Sequence, residues 1–227
     1  MTKKIKWFIG SIGLFVIVTL VLAFSLRETI LVKAGKFMAP EDIKIEGISD
    51  VVILEGTEFV GATMVSQGLE VLSSGKAKRM VIVLHGIAKK YRPFAMQEDY
   101  PSLIRMELHK LGLKDSDFTI IVTPLRDPIT LTTARFVLDA LAKDGVKKAI
   151  LISSGFHMRR SYLVYQHAAM PFSITIYSLP CFDAYPRNNW WNEGHGARHF
   201  LLEIQKLSIY MAMGYIPLKI SYSNKGN

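Results

Sequence analysis

The chain has 227 residues, half of them hydrophobic, and a formal net charge of +9, with a sequence pI near 9.6. That length fits one domain plus an appendage, with enough apolar residues to bury a full core. The basic balance points to an anionic partner, whether membrane headgroups, a phosphorylated substrate or nucleic acid, while the single cysteine, Cys181, excludes an intrachain disulfide and a cysteine-rich zinc site.

Residues 7–26 carry no charge and consist mainly of Ile, Leu, Val, Phe and Ala. Such a run meets the ~20 residues a helix needs to cross ~30 Å of hydrocarbon. Lys3, Lys4 and Lys6 precede it, Trp7 stands at the expected interface, and Arg27, Lys33 and Lys36 follow. The positive-inside bias is therefore weak, but the short N-terminal flank favours N-in. This places the protein in the inner membrane with a single pass and its globular part outside the cytoplasm. A cleaved signal peptide is the competing reading, with Val21-Leu22-Ala23 meeting the small-residue rule at a cleavage site. The long apolar core favours an uncleaved anchor, and a segment apolar all round is unlike an amphipathic core helix. The expected organisation is an anchor at 1–27, a tether at 28–47 with Gly35, Pro40 and Gly47, a domain at 48–216, and a polar tail at 217–227.

Within the domain, strand-like and helix-like runs alternate. Strands are expected at residues 50–54, 80–84, 118–122, 149–152 and 173–177. Helices are expected after the first strand through about residue 73, then near 94–111, 130–142 and 157–168. A polar, aromatic loop after the fifth strand leads to a last helix near 197–213. Continuous β-branched runs separated by helices indicate a parallel sheet covered on both faces. The expected fold is α/β, a doubly wound, Rossmann-like parallel sheet of about five strands with helices on both faces.

Ligands of such sheets bind outside the carboxyl ends of the strands. Glu55 and Gly56 follow the first strand, His85 and Gly86 the second, and Thr123, Arg126, Asp127 and Thr130 the third; Asp183 follows the fifth. After the fourth comes Ser153-Ser154-Gly155-Phe156-His157-Met158-Arg159-Arg160-Ser161. A small-residue turn here exposes backbone N–H groups, and two arginines then open a helix against its macrodipole, which favours acids at that end. A negatively charged ligand resolves the conflict. On this reading His157, Glu55, His85 and Asp127 are the catalytic candidates. Arg159 and Arg160 hold the anion beside Gly56, Gly86, Thr130, Ser153, Ser154 and Gly155.

Plainer roles compete with each assignment. His157 can cap its helix, Arg160 can pair with a structural acid, and Arg159 points away from its neighbour. Ser153 and Ser154 suit a turn or cap, and Ser154 lacks the G-x-S-x-G context of a nucleophile. Glu55 can form a structural salt bridge, His85 can belong to the core, and Thr130, Thr132 and Thr133 can cap a helix. His195 and His199 read as surface residues. No H-E-x-x-H, Walker A or G-x-G-x-x-G run occurs, and His85, His157 and Asp127 lack metal-ligand spacing, so the sequence designates no metal and no cofactor. The basic residues are scattered rather than striped, and no nucleic-acid-binding signature appears, so no nucleic-acid partner is expected.

The run from Ser153 to Ser161 resembles the YdcF-like family of domains of unknown function, which includes the SanA- and ElyC-like envelope proteins. Members show a small-residue turn and an aromatic-His-Met-x-Arg-Ala/Ser helix start. Trp190, Trp191, Glu203, Lys206 and Gly214 are similar to the family's late tryptophan loop and Glu-x-x-Lys helix. The resemblance covers about residues 48–215 and implies the fold, a membrane anchor and a role in envelope biogenesis; it implies no settled reaction. Three rim elements depart from it. Glu55-Gly56 stands for Gly-Gly, His85-Gly86-Ile87 for Ser-Gly-Gly, and Ile129-Thr130-Leu131-Thr132-Thr133-Ala134 for Asn-Thr-x-Glu-Asn-Ala. These departures fit either a changed ligand, with Glu55 and His85 replacing the lost groups, or a scaffold that has lost its chemistry.

Overall fold

The structure is a computed structural model that describes residues 3–42, 45, 47–56, 60–86 and 100–217. Five strands form one all-parallel sheet: β1 (Ser49–Glu55), β2 (Ala77–His85), β3 (Phe118–Thr123), β4 (Lys148–Ser154) and β5 (Thr175–Cys181). Their order is β3-β2-β1-β4-β5. The chain therefore steps one way from β1 to β3, then returns to lie beside β1 and steps the other way. β1 and β4 flank the point where direction reverses, and Glu55 at the end of β1 pairs in register with Ser153 of β4.

Alternation along the strands explains the layers. Val51, Ile53, Val81, Val83, Ala149 and Leu151 face α4 (Ile129–Lys143), α5 (His157–Ala169) and α6 (Gly194–Ala212). Val52, Leu54, Met80, Ile82, Leu84, Ile150 and Ile152 face α2 (Ala62–Ser73) and α3 (Tyr100–Lys110). Residues 51–54 are fully buried, as expected of a central strand covered on both sides. The predicted α/β sheet with helices on both faces is present. The first residues of the helix expected from 94, the residue Ile87 and the tail from 218 lie outside the described residues.

Among the boundaries that differ from expectation, two do so for clear physical reasons. β5 starts at Thr175, because Pro171 in a 3-10 turn at Met170–Phe172 leads to a left-handed Ser173 with φ 55°. It then runs through Pro180, which an edge strand tolerates because a missing N–H breaks no ladder bond on its open side. Second, α1 spans Lys3–Met38, so residues 28–38 are helix rather than the expected tether. The end of α1 is packed on the domain. Met38 and Ala39 are fully buried, Trp190 Nε1 donates to Leu31 O at 3.3 Å, and a Cβ on Gly35 would come within 2.7 Å of that indole nitrogen. Asp42 then accepts the backbone N–H of Ser178 at 2.6 Å.

Within α1, Trp7, Leu14, Phe15, Ile17, Val21 and Phe24 are exposed. No single helix among the described residues is long and apolar enough to cross a membrane; the segments Ser11–Thr19 and Phe24–Met38, bent by 47°, meet that test only as a pair.

Candidate functional site

The carboxyl end of β4 leads through Gly155 and Phe156 into α5. Gly155 is left-handed, with φ +43°, and the Tyr185 hydroxyl occupies the space its Cβ would need. Both constraints require glycine at this bend. Phe156 is fully buried and packs edge-on against Trp190, Phe182 and Phe200 and face-on against Tyr185. This aromatic cluster fixes the bend against the loop after β5 and the start of α6.

The residues that follow form a buried polar chain. Arg160 is 5% exposed. Its Nε donates to Glu203 Oε2 at 3.0 Å and its Nη1 to Thr130 Oγ1 at 2.6 Å. Its Nη2 donates to Glu203 Oε1 at 3.1 Å and approaches His157 Nδ1 at 2.9 Å. His157 Nδ1 also lies 3.4 Å from Glu203 Oε2, but one ring nitrogen cannot accept from arginine and donate to a carboxylate together. The shorter contact makes Nδ1 the acceptor. Nε2 then carries the proton and donates to Ser161 Oγ at 2.9 Å, and Ser161 in turn bonds the carboxyl of Glu55.

Electrostatics follow from this geometry. Burial, reinforced by the charge of Arg160, holds His157 near 4, so its imidazole is neutral. Burial raises Glu55 to about 8 against the Ser161 bond and the Arg160 charge; the carboxyl is therefore protonated at neutral pH. Burial also opposes ionisation of Glu203, but the His157 and Arg160 side chains converging on it hold its carboxyl far below the usual range. Lys206 adds a third cationic contact at 2.9 Å. The anion that the arginine-bearing helix start called for is thus supplied by the chain itself, from α6.

Arg159 points elsewhere, its guanidinium 4.1 Å from the centroid of the Phe37 ring on α1. His85 Nδ1 lies 3.1 Å from Thr123 Oγ1, whose hydroxyl donates to Leu84 O; burial lowers its pKa. Gly86 continues the β2–β3 pairing by donating to Thr123 O. Asp127 is exposed before the cis peptide to Pro128, and Gly56 is buried directly after Glu55. The structure therefore joins His157, Arg160, Glu55 and Thr130 in one network and leaves His85, Gly86, Asp127 and Arg159 outside it. Ser153 is buried with no partner for its hydroxyl, and one oxygen of Glu55 is likewise unpartnered, among the described residues.

An open pocket of about 560 Å³ lies beside this network, above the carboxyl ends of β4 and β5. Ser154, Gly155 and Cys181 line its base, Asp183 and Tyr185 one side, and His195, Arg198, His199, Glu203 and Lys206 of α6 the other. Three of these, His195, His199 and Glu203, recur at every fourth position, so one face of α6 supplies the wall. That spacing was present in the sequence, but His195 and His199 read there as surface residues. Tyr185 Oη lies 2.6 Å from His199 Nδ1 and accepts the Phe156 N–H at 3.4 Å, so the phenol donates to the imidazole. Burial lowers the His199 pKa. The thiol of Cys181 is pushed up to about 11 by burial and by Asp183, which makes it a poor nucleophile. Among the described residues no three His, Cys, Asp or Glu side chains are grouped to hold a metal ion. No family model matches the chain, and neither the curated proteins nor the solved structures contain a match to it.

Proposed function

We propose that the protein is a membrane-anchored, YdcF-like protein of the cell envelope, similar to the SanA- and ElyC-like proteins, that binds or processes a small phosphorylated or nucleotide-like anion. The charge-free run at 7–26 supports the anchor, and the aromatic-His-Met-x-Arg helix start supports the family. In this reading the protein is a single-pass inner-membrane protein with its domain on the extracytoplasmic side. The observation that carries the ligand class is the cationic wall of the pocket. Arg198 and Lys206 line it together with His195 and His199, at the strand ends where open α/β sheets take their ligands. Glu203 is shared between Arg160 and Lys206, and Asp183 is the other acid set against these cations. The ligand site thus belongs to α6 rather than to the start of α5.

Titration of the detergent-solubilised full chain with inorganic pyrophosphate and with a nucleoside monophosphate tests this. Each charge-assisted contact contributes about 1.5–3 kcal/mol, so Arg198→Ala and Lys206→Ala each lower affinity by about tenfold or more, and added salt weakens binding. Identical isotherms for the wild type and both variants refute the assignment.

One observation favours a second reading, a non-catalytic scaffold. The donors of Arg160 and the ring nitrogens of His157 are directed to partners within the chain, so the most family-like element is closed to a ligand. A scaffold binds neither probe.

A further inference from the structure

The strand-to-helix bend at Gly155 has a further chemical consequence. In hydrolases with a sharp strand–turn–helix bend, the residue at the bend presents a nucleophile, and the next backbone N–H stands beside it. Here the bend residue has no side chain, and the phenol oxygen of Tyr185 fills the place where one would begin. That oxygen accepts the N–H of the next residue, Phe156, at 3.4 Å. It also donates to a base, His199 Nδ1, at 2.6 Å. A nucleophile bonded to a base is the arrangement that activates a weak hydroxyl, and both groups line the pocket with Arg198 and Lys206. Burial lowers the pKa of His199, favouring the neutral imidazole whose Nδ1 accepts the phenol's hydrogen bond. It also raises the phenol, so Tyr185 reacts only as the base removes its proton. Ser154 lines the same pocket, but no hydrogen bond joins its hydroxyl to a base among the described residues.

We infer that Tyr185 is the nucleophile of a covalent phosphoryl transfer, with His199 as its base, acting on a phosphate ester held by the pocket cations. The Oη–P bond forms as the P–O bond to the leaving alcohol breaks. The phenolic proton passes to His199 Nδ1 and from there to solvent, and the leaving alkoxide, on the far side of phosphorus, takes a proton from solvent. Water then attacks the phosphotyrosine phosphorus, releasing phosphate and restoring the phenol. The choice of electrophile rests on the anion-binding reading; the nucleophile and base rest on the geometry of the bend.

The test is labelling of the detergent-solubilised full chain with an alkyl phosphonofluoridate, which forms a stable Oη–P bond as fluoride leaves. Intact mass shows the adduct and peptide mapping locates it. The expected result is one adduct, on Tyr185. It is absent in Tyr185→Phe, formed about 100-fold or more slowly in His199→Gln, and retained in Ser154→Ala. Tyr185→Phe keeps the ring stacked on Phe156, and an unchanged circular dichroism spectrum verifies that it folds. No adduct on the wild type, an adduct on Ser154, or undiminished labelling of Tyr185→Phe overturns the inference. Pyrophosphate binding without labelling removes the nucleophile and leaves the binding reading intact; labelling of Tyr185 without binding of either anion does the reverse.

Discussion

Glu55 makes the stability of this fold fall with pH in a narrow window. Its carboxyl lies at about 8 in the folded chain against an ordinary 4.5, so the folded state holds a proton that the unfolded chain releases. The stabilisation is complete below pH 4.5 and declines as pH rises to about 8. His157 has the opposite sign. Its folded value near 4 lies below the ordinary 6.5, so stability grows with pH up to 6.5 and then stops changing. The two slopes oppose one another below 6.5, and two half-buried histidines, His85 and His199, are also lowered and finish titrating there. Cys181 is raised from 9 to about 11 and acts above the window. Among the described residues with a shifted pKa, Glu55 therefore titrates alone between pH 6.5 and 8. At about 1.4 kcal/mol per pH unit, that interval of 1.5 units corresponds to a loss of about 2 kcal/mol. Urea unfolding of the full chain in nonionic detergent at pH 6.5 and 8.0 measures it directly. Glu55→Gln, which cannot ionise, shows no decline over the same interval. Equal wild-type stabilities at the two pH values, or a decline of the same size in Glu55→Gln, refute the account of a protonated buried acid.

Two further outcomes follow from the packing. Arg160→Met leaves the carboxylate of Glu203 buried with only Lys206 at its edge and His157 beside it, and the cost is about 3–5 kcal/mol in urea unfolding; Arg159→Met, losing a contact with the exposed Phe37 ring, costs about 0.5–1 kcal/mol. Gly35→Leu forces the end of α1 away from Trp190, which appears as red-shifted tryptophan emission and faster tryptic cleavage at Lys33 and Lys36, whereas substitution of Gly13, with nothing within 4 Å of its added Cβ, changes neither.

What could be read in the sequence follows from how local each signal is. The strands were legible because runs such as Val51-Val52-Ile53-Leu54 are apolar on both faces, and only a covered parallel sheet accommodates that. The strand ends followed from the same pattern, which placed Glu55 and Ser153 on one polar rim; that they are neighbours comes from the strand order. Arginine at the start of α5 was also legible as an electrostatic conflict. Its resolution was not, because Glu203 lies 43 residues from Arg160, and the conflict alone did not distinguish a ligand from an internal acid. The helical end of α1 was obscured in the same way. Gly35 and mixed charge resemble a break in structure until Trp190, 159 residues from its acceptor Leu31, provides a surface to pack on. The wall of α6 had a local signal, His195, His199 and Glu203 at helical spacing, and was missed because its helix was placed to start near residue 197.

The closed network and the open pocket share one residue, and that connection gives the sharpest test between a binding protein and a scaffold. Glu203 is held from inside by Arg160, while His199 and Lys206, one helical turn before and after it, face the pocket. Arg160 does not line that pocket, so it contributes to ligand binding only by fixing the face of α6. Arg160→Met at low urea, under conditions where the chain remains folded, is therefore expected to bind pyrophosphate more weakly although no contact to the ligand has been removed. Thr130→Ala, which deletes only the acceptor of Arg160 Nη1, should weaken it less. If both variants bind as the wild type does, the network and the pocket are independent, and the geometry of the helix start is architectural alone.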